Sequence, residues 1–553
     1  MNDALSWVPV AAPLVGAVLV AFLSASDRFA QRVVAVVSSL IALGAAVLAY
    51  ISFDPSVAGY QLVSRFGVNP DAPAAFGIEL GFGYDTKSLP LVIVANIVGV
   101  CAFLSARFSA QDSERNDREH FALLLVALAS CNGAFLSLNL FFFFFFAELG
   151  TLPKYLLVAR WWRQGRELTG PKPAAIAMQM TLYILLGAMA FLGVMVLLSA
   201  TVGGSLDFDA LGKGAREMDP ELQTTLYGIL VFALGVWSSI WPLHAWAPPA
   251  YATAQAPTNM LFAGVAKSFG LYGLLRIGSQ VLPQGAQALG EVVMLFGCIN
   301  ILYAGWAALK QTDWNRMLAY ASISHAGYTF IAVGSGTALG EAAAITLMCA
   351  HGLITSLGFL LTDELDVTVG LRNISRLGGL AKTLPMLSVA FCVFAVAGAG
   401  FPGTAGFVGE LMVFFAAWGA GSIMSQTAAV ICVFGVILSA TYVYRALHAT
   451  FFGDAKPRAA TGPGTALSGL PLVATVVLTL STVLMGVYPR LVTDLFQGAA
   501  PSEEQAAQAA LAKPRNLMAL PERLTRTVDD SVAVADESED KAAAPKGASE
   551  DKQ

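Results

Sequence analysis

Five ionisable side chains lie inside long apolar runs of this 553-residue chain. Glu148 follows six phenylalanines in LNLFFFFFFAELG, Lys267 sits in NMLFAGVAKSFGLYG, and Glu410 sits in GFVGELMVFF. His325 lies in AYASISHAGY and His351 heads HGLITSLGFLL. A charge at the centre of a bilayer costs roughly 2.5–3.5 kcal/mol on insertion scales, and such residues normally face a partner, a cavity or an ion path. Carboxylate, ammonium and imidazole all change charge by taking or losing a proton, so a row of them suits ion or proton transfer. Imidazole exchanges protons near neutral pH. A lone buried histidine also serves packing, and both readings stand for His325 and His351. Glu148 needs a cation or a proton. Lys154, beyond Pro153, has two readings as well. It can snorkel to the membrane surface, or Pro153 can open the helix and swing its ammonium towards Glu148 as a substitute cation.

The elements that carry these groups are interrupted. In VWSSIWPLHAWAPPAYATAQAPTNM, Pro242, Pro248, Pro249 and Pro257 deny the backbone an unbroken helix, and His244 lies within the interruption. In AGAGFPGTAGFVGELM, Gly398, Gly400, Pro402, Gly403 and Gly406 make a second break just before Glu410. Non-helical backbone at membrane depth survives only where protein or a watery cavity satisfies it, and transporter sites are built at such places. Apolar runs of about 20 residues give about fourteen spans, beginning near residues 7, 31, 88, 119, 138, 174, 222, 257, 288, 314, 339, 384, 424 and 466. The two breaks fall five spans apart, which points to inverted internal repeats with an ion site at each break. The predicted fold is an all-α membrane protein of about fourteen transmembrane helices, with two inverted five-helix repeats and two broken helices.

Composition agrees: 56% of residues are apolar and 12% charged, against about 25% charged in soluble domains. The net charge of −5 reflects an acidic tail and gives no sign of a nucleic-acid partner. The six cysteines are scattered, so neither a metal site nor a disulfide framework is expected. Basic residues follow the odd-numbered spans, as Arg28 and Arg32 or Arg372, Arg376 and Lys382 do. The loops after spans two and six are acidic, with Asp54, Asp71, Glu79 and Asp85 in one and Asp207, Asp209, Glu217, Asp219 and Glu221 in the other. By the positive-inside rule the odd loops are cytoplasmic and both termini are periplasmic, in a bacterial inner membrane. The expected organisation is residues 1–118 for spans one to three, 119–280 for a first repeat, 281–452 for a second, 453–500 for the last span and 501–553 for a polar tail. That tail is too poor in apolar residues to fold alone; it is read as solvated, or as an arm for a partner.

Taken together, PLHAWAPPAY, APTNMLFAGVAKSFGLYGLLR, DWNRMLAYASISHAGY, HGLITSLGFLL and GFPGTAGFVGELM resemble the antiporter-like subunits of respiratory complex I, which are similar to Mrp-type sodium/proton antiporters. The glutamate of GFVGE resembles the M-type chain of bacterial NADH–quinone oxidoreductase. The resemblance implies a fourteen-helix fold with repeats over spans four to eight and nine to thirteen. It implies proton-translocation roles for Glu148, Lys267, His325, His351 and Glu410. NADH, FMN, iron–sulfur clusters and quinone are expected only in partner subunits, and the partners are other membrane subunits, neighbouring antiporter-like chains among them. Two positions depart from the pattern. The seventh-helix lysine is Trp237, and the lysine of the DxKR pattern is Asn315, expected in a loop. The function implied is a non-redox, proton-translocating subunit of a complex I-like translocase. The alternatives are an Mrp-like cation/proton antiporter, an ion-driven inorganic-carbon uptake subunit, or an antiporter-like subunit that has lost transport.

Overall fold

An unpaired backbone N–H or C=O in hydrocarbon costs several kcal/mol, and a helix pairs these groups within its own segment. The apolar runs accordingly fold as helices in the computed structural model, which describes residues 4–66, 79–107, 117–162, 171–456 and 467–496. Among the described residues, eleven helices are long and apolar enough to cross a membrane: Ala4–Phe22, Arg28–Ser52, Ser88–Ser105, Asp117–Leu136, Leu140–Arg160, Pro173–Thr201, Ala256–Gln280, Pro283–Lys310, Ala338–Val369, Ile423–Phe452 and Gly469–Val487. Pro220–Trp237 and Trp314–Gly334 complete the seventh and tenth positions in chain order. The pair Pro385–Gly398 and Ala405–Gly419 makes the twelfth, so the described residues hold fourteen spans. Each starts within a few residues of its expected position. With spans alternating in direction, units five spans long run in opposite senses, which is why breaks in spans seven and twelve belong to inverted halves.

Both breaks are satisfied by protein atoms. Beyond Trp237 the backbone N–H of Trp241 donates to Asn300 Oδ1 at 2.7 Å, and Asn300 Nδ2 donates to the Ser239 carbonyl at 3.4 Å. Trp246 Nε1 donates to the Val236 carbonyl at 3.1 Å, and the chain resumes as the helix Ala247–Thr253. In span twelve Gly400 has φ 64°, a conformation costly for residues with a Cβ. A Cβ there would also collide with the Glu410 carboxylate. Glycine is therefore needed twice over, for the turn and for the close approach of the acid.

Three wide π turns were not legible in the sequence: Met260–Ala266 immediately before Lys267, Asn300–Ala304, and His448–Phe452. A second addition to the all-helical plan is an antiparallel hairpin, β1 (Gln61–Phe66) and β2 (Leu80–Tyr84), in the acidic loop after span two. It braces the SLNL interruption between spans four and five, where Leu138 N–H donates to the Gly81 carbonyl at 3.1 Å.

Ion pairs at the two ends of the bundle keep to their own end. Arg28–Asp117 (2.9 Å), Arg160–Glu119 (2.6 Å) and Arg107–Glu364 (2.5 Å) join segments beside odd-numbered loops. Arg65–Asp207 (3.3 Å), Lys87–Glu341 (3.0 Å) and Arg276–Asp85 (2.7 Å) join segments beside even-numbered loops. This sorting is what alternating spans require.

Candidate functional site

The second half of the molecule gathers four of the five intramembrane groups into one connected row. Lys267 follows directly on the π turn of span eight and is 3% exposed. Its ammonium donates to Ser322 Oγ of span ten at 2.9 Å. Ser322 Oγ lies 3.1 Å from His351 Nε2 of span eleven, and Thr355, one turn along, lies 3.2 Å from His351 Nδ1. His351 Nε2 is also 3.3 Å from the carbonyl of Ala263, inside the π turn. The wide turn thus presents a backbone acceptor to a side chain from another span, and such bulges are frequent at functional sites. The His351 and His325 rings are 6.3 Å apart between centroids. His325 Nδ1 is 3.6 Å from Glu410 Oε1, and Tyr442 of span thirteen places its hydroxyl 3.5 Å from His325 Nε2. Glu410, 6% exposed, follows the second break.

Ser322, Thr355 and Tyr442 were not singled out from the sequence. The available signal was spacing: Ser322 lies three residues before His325 and Thr355 four after His351, the intervals that put side chains on one helix face. Nothing local in the sequence marks Tyr442.

The first half is built around a small cavity of about 20 Å³, room for about one water. Glu148, Lys154, Trp237, Lys267, Phe262 and Phe269 are among the side chains that line it. Glu148 Oε1 is buried without a hydrogen-bond partner. The Lys154 ammonium does not snorkel: it turns inward and stands 5.4 Å from the ring centre of Phe262 and 5.8 Å from that of Phe269, both on span eight. The cause is local. Pro153 has no N–H, and span five is divided at Gly150 into Leu140–Leu149 and Thr151–Arg160. Trp237 closes the cavity with an indole that donates to the Ile184 carbonyl at 3.2 Å and stacks on Phe191 at 5.7 Å.

The remaining expected residues fall around the breaks. Pro242 lies within the first break, and His244, 6% exposed, packs edge-on against Tyr303 at 5.0 Å. Pro402 and Gly403 stand exposed at the rim of the second. Asn315, expected in a loop, is instead in the first turn of span ten, buried, and accepts a hydrogen bond from Thr362 at 2.8 Å. Asp313 caps that helix by accepting from Arg316 N at 3.0 Å, so the helix starts at Trp314, one residue before Asn315.

Residues 137–439 match the family described as the transmembrane region of NADH:quinone oxidoreductase and Mrp antiporters. The NAD(P)H-quinone oxidoreductase chain 4 3 of Picosynechococcus sp. is 32% identical over 449 residues, 80% of this chain and 78% of that one. A chain of respiratory complex I from Thermus thermophilus superposes with a TM-score of 0.75 at 22% identity, covering 90% of this chain and 100% of that one. A chain of the Mrp complex from Dietzia sp. superposes with a TM-score of 0.78 at 23% identity, covering 92% and 99%. The match over residues 137–439 spans more than half of the chain, and with the Picosynechococcus relative it establishes that the protein belongs to the NADH:quinone oxidoreductase/Mrp antiporter family of membrane proteins.

Proposed function

We propose that this chain moves protons across a bacterial inner membrane as a subunit of a complex I-like NAD(P)H–quinone oxidoreductase. The supporting observation is the buried row from Lys267 through Ser322, His351 and His325 to Glu410, with steps of 2.9 Å, 3.1 Å and 3.6 Å around one ring-to-ring step of 6.3 Å. A group that ionises in low dielectric depends on its neighbours' charges, and such coupling belongs to the row as a whole. Electron transfer in partner subunits would alter charge at one end, and the row would pass the change along as alternating protonation. NADH, FMN, iron–sulfur clusters and quinone belong to those partners, and this chain supplies only the path. The chain 4 relatives favour this assembly over a stand-alone antiporter.

Glu410→Gln tests the reading, because the amide keeps the volume of the acid but cannot ionise. Vesicles holding the assembled mutant complex should lose proton pumping by about tenfold or more. Wild-type pumping in a fully assembled mutant would remove Glu410 from the path. Exchanging Na⁺ for K⁺ in the same assay separates proton pumping from sodium/proton exchange.

A further inference from the structure

We infer that Lys154 is the working cation of the first half of the path, facing Glu148 across the small cavity and relaying charge to Lys267; this rests on the proton-path reading above. Among the residues lining the cavity the cations are Lys154 and Lys267. Lys267 is committed to Ser322 and through it to the histidines, so its ammonium belongs to the second half. Trp237, also lining the cavity, contributes no charge, and its single N–H is spent on the Ile184 carbonyl. That leaves Lys154 to answer the Glu148 carboxylate, whose buried Oε1 has no hydrogen-bond partner.

The geometry is that of a movable pair. In an unbroken helix, residues six apart point about 120° away from each other. The interruption at Gly150 and Pro153 removes that constraint and brings both side chains to one cavity. The ammonium stands over the faces of Phe262 and Phe269, and a cation over an aromatic face gains about 0.5–2 kcal/mol depending on desolvation. The rings therefore give Lys154 a resting place inside the membrane that does not require a fixed ion pair. From there the ammonium can approach Glu148 directly or through a water, holding the carboxylate negative, or withdraw to the rings and let Glu148 take a proton. Phe262 belongs to the π turn that ends at Lys267, so a shift of that turn would move the lysine's aromatic seat together with the next cation in the row.

The test uses the whole complex in sealed vesicles, with assembly scored by copurification of the partner subunits. Lys154→Met should reduce pumping as severely as Glu148→Gln, by about tenfold, and Lys154→Arg should retain most of it. The discriminating variant is the double Lys154→Met/Trp237→Lys, which returns one cation to the same cavity from a different span and should restore pumping; a merely structural role for Lys154 would not be rescued this way. If Lys154→Met pumps within about twofold of the parent while Glu410→Gln is defective, the inference is overturned and the proton path stands. If both pump normally, the path reading itself fails. If Lys154→Met does not assemble, recovery of assembly and pumping in the double variant supports the inference. A double variant that assembles without pumping, or assembles no better, assigns Lys154 to folding and overturns it.

Discussion

Arg276 ends the same helix that carries Lys267, and at 2% exposure it is held by a fork of contacts. Its guanidinium reaches Asp85 at 2.7 Å and 2.9 Å and the Tyr60 hydroxyl at 2.9 Å. Burial works to raise the Asp85 carboxyl, but the charge and hydrogen bond of Arg276, with the Lys87 charge and the Ser88 backbone N–H, together hold the group below its ordinary range. Burial pushes the Tyr60 hydroxyl up to about 12. A depressed carboxyl contributes stability that is present above its unfolded value of about 3.9 and is lost as pH falls through the folded value, so the contribution fades from about pH 5 downward. Asp85→Asn should flatten that acid limb of a thermal-stability profile followed by tryptophan fluorescence. Arg276→Met leaves a carboxylate without its cation, and breaking a buried pair this way costs roughly 3–5 kcal/mol. A melting temperature unchanged in both variants would show that the fork does not anchor the helix. At this scale the sequence is informative where a charge interrupts an apolar run, which is why Glu148, Lys267 and Glu410 stand out. It is nearly silent about Ser322, Thr355 and Tyr442, because hydroxyls are ordinary in membrane helices and only tertiary packing aims them at the row. The inward turn of Lys154 depends on how much a proline bends one helix, which local residue types leave open.

Spans nine and ten meet through glycines. A Cβ at Gly297 would fall 2.6 Å from the Gly327 carbonyl oxygen, and one at Gly327 would fall 2.5 Å from that of Gly297. Gly290 and Gly334 face each other in the same way, at 2.5 Å in both directions. Small residues facing across a membrane helix pair let backbones approach closely, and here the contact fixes the helix that carries Ser322 and His325. Gly327→Ala must separate the two backbones and should destabilise by roughly 1–3 kcal/mol. Gly193 of span six meets nothing within 4 Å of a built Cβ. Alanine there should be neutral or should stabilise by up to about 1 kcal/mol, since it restores helix propensity. Thermal unfolding of the two variants side by side checks the contrast, and equal effects would refute the packing argument. The breaks in spans seven and twelve were legible because proline and glycine punctuate a sequence. The three π turns were not, since a wide turn such as MLFAGVA holds no proline and only one glycine, which a helix tolerates, and arises from what packs against it. The hairpin β1–β2 was also missed: its strands are short, and alternation over so few residues is a weak signal beside the spans around it.

For the molecule as a whole, ion pairs distinguish two ends and the excess of basic residues at one of them predicts which faces the cytoplasm. Ion pairs sort the loops into two ends, with Arg28–Asp117, Arg160–Glu119 and Arg107–Glu364 at one and Arg65–Asp207, Lys87–Glu341 and Arg276–Asp85 at the other. The first end also carries Arg316, Arg372, Arg376, Lys382, Arg445 and Lys456, whereas the second carries the acids around Asp207 and Glu217. Basic loops are retained on the cytoplasmic side, and this rule predicts Arg376 inside the cell and Glu217 outside. Both positions are exposed, so single cysteines can be introduced at either with little effect on packing. Glu217→Cys should react with a membrane-impermeant maleimide in intact cells, and Arg376→Cys should react only after the membrane is opened. The parent chain, whose Cys392 is partly exposed within span twelve, supplies the background. The reverse pattern would invert the molecule, moving the end anchored by Arg276 to the cytoplasm. Labelling of both sites in intact cells would break the alternation itself and with it the inverted-repeat reading of spans seven and twelve.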